Sequence, residues 1–309
     1  MKRSFKQSLF LFFKGMAMGA ADVVPGVSGG TIAFISGIYE ELLNSISAIN
    51  LQRIKDLKEG GISKVWNEIN GNFLVLLLSG IAVSVVSLAK GISYLLKNEP
   101  ILLWSFFFGL VLASVVFVGK QINKWSIPTF VLLFLGAVIA YMITIVEPLI
   151  SDTPSLFFLF LSGALAICAM ILPGISGSFI LVLLGAYSYI LEAIHTRNLQ
   201  VIATVGLGAI VGLLSFSKIL KWLFSRYKNF TLAGLTGFII GSLNKIWPWK
   251  ETLTWRENSH GEQVPLLQKS ISPLDFEGEH QLMYAFFLAL IGYAVIVGLE
   301  KIQDVKMNS

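Results

Sequence analysis

Long runs of apolar residues recur along the whole chain and are separated by shorter polar segments. A helix needs about 20 predominantly apolar residues to cross the hydrocarbon core of a bilayer, and several of the runs reach that length. The strands of a membrane barrel would alternate apolar and polar residues, and the runs show no such alternation. The pattern therefore predicts an all-α, polytopic membrane protein.

A segment near the start of the chain recurs 148 residues later. Between positions 12 and 46, twelve residues are identical to their counterparts in 160–194, and Pro-Gly-Val-Ser-Gly falls on Pro-Gly-Ile-Ser-Gly. A second block of matches follows at an offset of 128, and it includes Gly80 with Gly208. Apolar composition alone would not superimpose such a motif. The chain is therefore predicted to consist of two related halves, 1–150 and 151–309.

Each half is predicted to contain a broken, re-entrant helical hairpin followed by three transmembrane helices. Residues 9–24 as a helix reach about 24 Å, less than the roughly 30 Å hydrocarbon core, so a hairpin whose tip stops inside the membrane is favoured. Both ends of such a hairpin emerge on one side, and three further spans then give the halves inverted topology, as in many secondary transporters. The predicted units are the hairpin 8–48 with spans 72–96, 101–118 and 127–147, and the hairpin 155–194 with spans 200–222, 230–246 and 281–300.

Composition and charge agree with this topology. The chain is 55% hydrophobic and 13% charged, whereas soluble domains carry about 25% charged residues. Lysine and arginine concentrate in the segments that are cytoplasmic if both termini lie in the cytoplasm, as the positive-inside rule requires. The net charge of +5 therefore indicates topology rather than binding to nucleic acid. The single cysteine excludes an internal disulfide, and the three histidines lie in polar connections, so no metal, cofactor or catalytic residue is predicted.

The two Pro-Gly-x-Ser-Gly breaks are the most specific motif. Proline removes a backbone donor, glycine permits positive φ, and unpaired backbone inside a bilayer is tolerated only where it is buried in protein or lines a cavity. Helices that restart after the breaks would present free N–H groups to an anion. The alternative is that these small residues serve helix packing. The predicted substrate-binding residues are Asp22, Pro25, Gly26, Val27, Ser28, Gly29, Gly30, Thr31, Pro173, Gly174, Ile175, Ser176, Gly177 and Ser178.

A few charged residues are candidates for coupling or gating. Asp22 lies close to the first break, where burying a carboxylate costs roughly 2.5–3.5 kcal/mol, so it is expected to carry a coupling proton, bind a cation such as sodium, or accept hydrogen bonds from amides. Glu40 and Glu41 lie at the far end of the same hairpin arm, and interfacial solvation is their simpler interpretation. The matched lysines Lys90 and Lys218 are suited to receive a phosphate or simply to snorkel to the interface.

The run Met16–Ile46 (MAMGAADVVPGVSGGTIAFISGIYEELLNSI), with its second copy Leu172–Leu191 (LPGISGSFILVLLGAYSYIL), resembles the bacterial polyprenyl-phosphate translocase family. The resemblance implies a flippase in the bacterial cytoplasmic membrane that returns undecaprenyl phosphate from the outer to the inner leaflet for peptidoglycan and other envelope polymers. It implies a polyprenyl phosphate lipid as the partner, and it supports Asp22, the two tips and Glu40 with Glu41 as functional positions. It gives no oligomeric state.

Two other functions are compatible with parts of the pattern. Membrane phosphatases of undecaprenyl pyrophosphate also place a Pro-Gly-x-Ser motif in a re-entrant segment, but there an arginine follows. Here Gly29 and Gly177 follow the serines, and no arginine lies within a predicted span. An ion-coupled transporter of a small water-soluble anion is the second alternative.

Overall fold

A computed structural model of the chain describes residues 3–24, 27–50, 52–149, 154–257 and 263–307. In these ranges the protein is almost entirely helical, and the break at Pro25 and Gly26 lies outside them. The helices of the first half are α1 (Phe5–Val23), α2 (Gly29–Ile35), α3 (Tyr39–Ser47), α4 (Gln52–Glu68), α5 (Gly71–Asn98), α6 (Pro100–Lys120) and α7 (Ile127–Ile145).

The second half follows the same order, except that α4 has no counterpart between Tyr187–His195 and Leu199–Arg226 and that one addition comes before the last helix. The addition is a β-hairpin flanked by two short 3-10 turns. The elements are α8 (Leu156–Ile171), α9 (Gly177–Leu183), α10 (Tyr187–His195), α11 (Leu199–Arg226), α12 (Lys228–Ser242), a 3-10 turn (Leu243–Ile246), β1 (Lys250–Glu257), β2 (Gln263–Ser270), a 3-10 turn (Pro273–Asp275) and α13 (Leu282–Met307).

Among the described residues, four helices are long and apolar enough to cross a membrane. They are α6, α7, α11 and the part of α5 from Gly71 to Leu88. Helices α9 and α10 pass the same test as a pair and are bent by 106° at the break between them, while α8 and Leu282–Gly298 are shorter apolar helices. The predicted class is therefore confirmed: the protein is a multi-span α-helical membrane protein.

Large apolar side chains cover the outward faces of several helices. Side chains that are at least half exposed line α5, α7 and α13, where a water-soluble protein would carry charged residues. Such a surface is suited to contact with lipid tails. Examples are Val75, Leu78 and Val86 on α5, Phe130, Phe134 and Met142 on α7, and Phe286, Phe287 and Ile291 on α13.

Close helix pairs repeat between the halves at equivalent glycines. Helix α1 packs along α5 and α8 packs along α11; a Cβ at Gly80 would overlap the carbonyl oxygen of Phe12, and one at Gly208 would overlap that of Phe160. The later helices pair across the halves, α6 with α13 and α7 with α12. There a Cβ at Gly109 would overlap the carbonyl oxygen of Ala289. Glycine allows the backbones to approach this closely.

The return arm of each hairpin consists of two short helices, where the sequence predicts one continuous arm. Gly37 separates α2 from α3 with φ of 70°, and Gly185 separates α9 from α10 with φ of 67°. A glycine in the left-handed region ends a helix because it lacks the Cβ that would clash there. The matched glycines therefore turn the chain a second time after each tip.

The two long connections contain regular structure. Residues 49–71, for which an interfacial helix and a loop are both compatible with the sequence, contain α4, which is interrupted at Gly61 with φ of 69°. The connection 247–280 contains the antiparallel pair of β1 and β2, which the sequence analysis does not predict. The indole N–H of Trp247 donates to the Ile271 carbonyl at 2.9 Å, and that of Trp249 donates to the His280 carbonyl at 2.9 Å.

We expect Gly109→Ala to destabilise the protein, because the added methyl group would force α6 away from α13. Overpacking of this kind costs typically 1–3 kcal/mol. The matched control is Gly119→Ala on the same helix, where an added Cβ meets nothing within 4 Å. Thermal unfolding of the two variants in detergent measures the difference; equal melting temperatures would contradict the close α6–α13 contact.

Candidate functional site

The tips of the two hairpins meet in the interior of the protein. The backbone N–H of Gly174 donates to Thr31 Oγ1 at 2.9 Å, and both groups are buried. Ser28 Oγ lies 3.1 Å from the Met170 carbonyl oxygen and 3.2 Å from that of Leu172, so its one hydroxyl hydrogen is shared between two acceptors. A single serine and a single threonine of the first tip therefore join it directly to the second.

The C-terminal end of α8 is capped by side chains of the first half. The last carbonyls of a helix have no partner within it, and Pro173 prevents α8 from continuing. Ser28 lies against two of the carbonyls, and the Tyr39 hydroxyl donates to the third, that of Ile171, at 3.1 Å. Tyr39 is 2% exposed, so it is a buried capping residue, whereas the sequence suggests only packing or an interfacial position.

The start of α2 is already occupied by protein groups. Asp22 Oδ1 accepts a hydrogen bond from the Gly29 N–H at 2.7 Å, and Ser28 Oγ accepts one from the Gly30 N–H at 3.0 Å. The expectation that these amides are free is therefore wrong in this conformation. The carboxylate of Asp22 and the hydroxyl of Ser28 thus each accept one of the first two N–H groups of α2.

Asp22 has further capacity to bind. Its second carboxylate oxygen, Oδ2, is buried and has no hydrogen-bond partner among the described residues. Leaving a buried charged acceptor unpaired is costly, so this oxygen is suited to a proton, a cation or a donor from a ligand. A Cβ at Gly29 would lie within 3 Å of the carboxylate, which explains why glycine occupies that position.

The second tip lacks such a carboxylate. Met170 stands at the position equivalent to Asp22. The chain turns at Gly174 with φ of 98°; Ser176 Oγ lies 2.8 Å from Ser178 Oγ, and no side chain caps the start of α9. The two tips are therefore similar in sequence and different in chemistry.

The remaining tip residues are structural in this conformation. Val27 is 1% exposed and Ile175 is 3% exposed, and both pack in the apolar core. A Cβ at Gly177 would lie 2.6 Å from the Ala166 carbonyl oxygen, and one at Gly30 would lie 2.6 Å from that of Ile171. Both glycines therefore permit a close approach to α8. Pro173 is buried, and Pro25 and Gly26 lie outside the described residues.

The candidate gating residues fall into two groups. Glu41 pairs with Arg3 and accepts a hydrogen bond from Asn70 Nδ2 at 2.7 Å, and Glu40 pairs with Lys228 Nζ at 2.8 Å. These contacts connect α3 to the segment before α1, to the start of α5 and to the start of α12. Lys90 and Lys218 are exposed on α5 and α11, and neither forms an ion pair within the part of the chain that is described.

We expect Ser28→Ala to weaken the junction of the tips, because it removes the donor from two α8 carbonyls and the acceptor from the Gly30 N–H. Each unsatisfied buried polar group costs about 1–3 kcal/mol. The matched control is Ser36→Ala, since Ser36 Oγ bonds only to the Ala33 carbonyl of its own helix, at 3.3 Å. Thermal unfolding should rank the Ser28 variant well below the Ser36 variant, and the reverse order would argue against the junction.

Comparison with known proteins agrees with this architecture. A family model described as VCA0040-like, undecaprenyl phosphate translocase-like, matches residues 18–264. The chain is 52% identical over 297 residues to a polyprenyl-phosphate transporter of Vibrio cholerae serotype O1, covering 95% of this chain and 96% of the relative. It is 34% identical over 252 residues to a polyprenyl-phosphate transporter of Staphylococcus aureus, covering 76% and 84%. No solved structure matches the chain significantly. The chain therefore belongs to the undecaprenyl phosphate translocase-like family.

Proposed function

We propose that the protein is a flippase for polyprenyl phosphate, with undecaprenyl phosphate as its cargo, and not an enzyme. Two relatives that align along most of this chain are named polyprenyl-phosphate transporters, which supports the substrate class. Two broken hairpins that meet inside a membrane protein are typical of transporters that bind substrate near the midplane. The partners are then the carrier lipid and the surrounding membrane.

We further propose that residues 1–150 and 151–309 are inverted repeats in the cytoplasmic membrane, with both chain termini in the cytoplasm. The repeated glycine contacts of Gly80 and Gly208 support the duplication, and the distribution of lysine and arginine supports the orientation. Each repeat would consist of a re-entrant hairpin and three spans. The inversion would give the meeting tips access from opposite leaflets.

The observation that carries the proposal is the carboxylate of Asp22 at the start of α2. It accepts the Gly29 N–H at 2.7 Å in the position of an anion, next to the hydroxyls of Ser28 and Thr31. A phosphate head that enters the junction of the tips would take over the same donors. The Asp22 carboxylate would then occupy these donors while no lipid is bound and so keep the first tip folded.

Coupling to an ion follows from the competition between the Asp22 carboxylate and the substrate phosphate for the same hydrogen-bond donors. A protonated Asp22, or one that holds a sodium ion through Oδ2, is a weaker acceptor for the Gly29 amide and repels a phosphate less. Binding of a proton or a sodium ion to Asp22 would therefore free the donors of the first tip for the phosphate. Loss of that ion would restore the carboxylate and displace the phosphate. This scheme makes proton or sodium coupling a property of the first tip alone, because Met170 replaces the carboxylate in the second.

Movement of the lipid requires only the head to cross. The polyprenyl tail stays in the hydrocarbon while the phosphate exchanges between the tips, with Ser176 and Ser178 as hydroxyl donors on the second side. The contact of Glu40 with Lys228 joins α3 of the first half to α12 of the second and would break and re-form as the halves rock, whereas the contact of Glu41 with Arg3 lies within the first half. We propose that the direction is from the outer to the inner leaflet, which recycles the carrier for envelope polymers.

We expect Asp22→Asn to abolish most transport while the protein stays folded. Asparagine can still accept the Gly29 N–H, but it has no charge to exchange with a proton or a phosphate. The assay is translocation of a fluorescent short-chain polyprenyl phosphate in proteoliposomes, read by impermeant quenching with and without a proton or sodium gradient. We expect at least a tenfold lower rate for Asp22→Asn and an unchanged rate for the control Asp56→Asn on α4. Full activity of the Asp22 variant would refute the competition scheme.

Depletion of the protein in cells tests the direction. In a strain without redundant translocases, we expect loss of the protein to raise the undecaprenyl phosphate on the outer surface. Labelling by an impermeant phosphate-binding antibiotic measures that pool. Re-expression of the wild-type chain should lower it again, and re-expression of Asp22→Asn should not. A surface pool that stays constant would argue against outer-to-inner transport.

A further inference from the structure

Two lysines lie close together beside the second hairpin. Lys245, in the 3-10 turn after α12, places its ammonium group 4.1 Å from the ring centroid of Phe179 on α9. Lys250, at the start of β1, places its ammonium group 3.8 Å from the ring centroid of Trp104 on α6 and donates to the Lys245 carbonyl at 2.7 Å. The turn, the strand and two helices therefore converge on one positively charged spot.

Neither ammonium group is neutralised. Within the described ranges no carboxylate pairs with Lys245 or Lys250, although some basic residues at the opposite end of the helices have such partners. At the start of α12, for example, Lys228 pairs with Glu40 at 2.8 Å, and Lys120 at the end of α6 pairs with Glu300 at 3.0 Å. Aromatic rings attract a cation without cancelling its charge. No carboxylate among the described residues therefore competes with an anionic ligand for this pair of lysines.

The pair is confined by the surrounding protein. Each lysine residue as a whole is only partly buried. Burial lowers the pKa of Lys250 well below its usual value, and the positive charge of Lys245 lowers it further. A bound anion would reverse both effects, since it would replace lost hydration and offset the mutual repulsion.

The surroundings suit an anion that carries an apolar tail. An apolar groove of about 320 Å³ runs between α7 and α12, is lined by Ala137, Tyr141, Met142 and Gly241, and ends at Asn244. Asn244 directly precedes Lys245 in the sequence. Tyr141 and Met142 are about half exposed on the outward face of α7, so the groove opens toward lipid. On the other side, Phe179 directly follows Ser178 of the second tip.

From this arrangement we infer that Lys245 and Lys250 form a receiving site for the phosphate head of an amphiphilic phosphate, with its tail in the groove between α7 and α12. The inference rests on the proposed function for the nature of the substrate. The site is separate from the Asp22 junction and precedes it on the path, because it is partly exposed at the end of α12 and adjoins the second tip. Lysine binds phosphate as a mobile point charge, which suits a site that must release its ligand.

The first test uses the wild-type protein in lipid nanodiscs. A short pulse of an impermeant amine-acetylating reagent, followed by mass spectrometry, gives the acetylation rate of each lysine. We expect farnesyl phosphate to slow acetylation of Lys245 and Lys250 at least fivefold, and to leave that of Lys269, an exposed lysine on β2, unchanged. Farnesol should give no protection, and inorganic phosphate should protect only at much higher concentration.

Equal protection by inorganic phosphate would assign the pair to a free anion and overturn the assignment to a lipid. No protection by farnesyl phosphate would overturn the site altogether. This measurement needs no variant, so a folding defect cannot obscure it.

The second test measures transport by variants. We expect Lys245→Gln with Lys250→Gln to raise the half-saturating concentration of the short-chain substrate at least tenfold. The variant with Lys245→Arg and Lys250→Arg should have a half-saturating concentration close to that of the wild type. Lys269→Gln should behave as wild type. Wild-type transport together with unprotected lysines would refute the receiving site alone, whereas protected lysines in a protein that moves no lipid would refute the proposed function alone.

Discussion

A helix that ends in the interior of a protein leaves carbonyl groups that water cannot solvate, and the structure depends on how the buried end of α8 meets this constraint. Three successive carbonyls, those of Met170, Ile171 and Leu172, receive hydroxyl groups of Ser28 and Tyr39 from the other half. Neither hairpin is therefore complete by itself. Because satisfying the backbone requires both halves, the tips are held together, and any opening of the junction must provide new partners for the same groups.

The duplicated motif supplies two similar backbones, and a few substitutions give them different chemistry. Asp22 closes the first tip, while its counterpart Met170 supplies only a carbonyl to Ser28. Near the second tip, Lys245 instead lies against Phe179 of α9, and Lys250 lies against Trp104 of α6. The first tip thus contains a carboxylate, whereas the two lysines near the second hairpin have no carboxylate partner among the described residues. A phosphate that moves between them would pass from a site that attracts it to one where it must displace a carboxylate.

The helices and the contact between the tips were predictable to different degrees. Apolar runs identify the membrane helices because lipid exposure demands continuous hydrophobicity, and the Pro-Gly-x-Ser-Gly motif identifies the breaks. The capping role of Tyr39 was not predictable, since its acceptor lies 132 residues away and a buried tyrosine has the same pattern as an interfacial one. A hydrogen bond from an amide was one of three roles that the sequence allowed for Asp22. Only the structure shows that Asp22 accepts the N–H of Gly29. The lysine pair has no motif, because it depends on how a turn and a strand place two lysines against aromatic rings on α9 and α6.

The crossed pairing of the later helices affects how the protein is made. Helix α6 ends at Lys120, but its partner α13 begins only at Leu282, about 160 residues later. A ribosome that adds roughly 5–20 residues per second needs about 8–30 s to synthesise this stretch. During that time the face of α6 around Gly109, which is shaped for the backbone of α13, has only lipid or the translocation machinery against it. The packing of the first half is therefore completed only after α13, the last helix, has been synthesised and inserted.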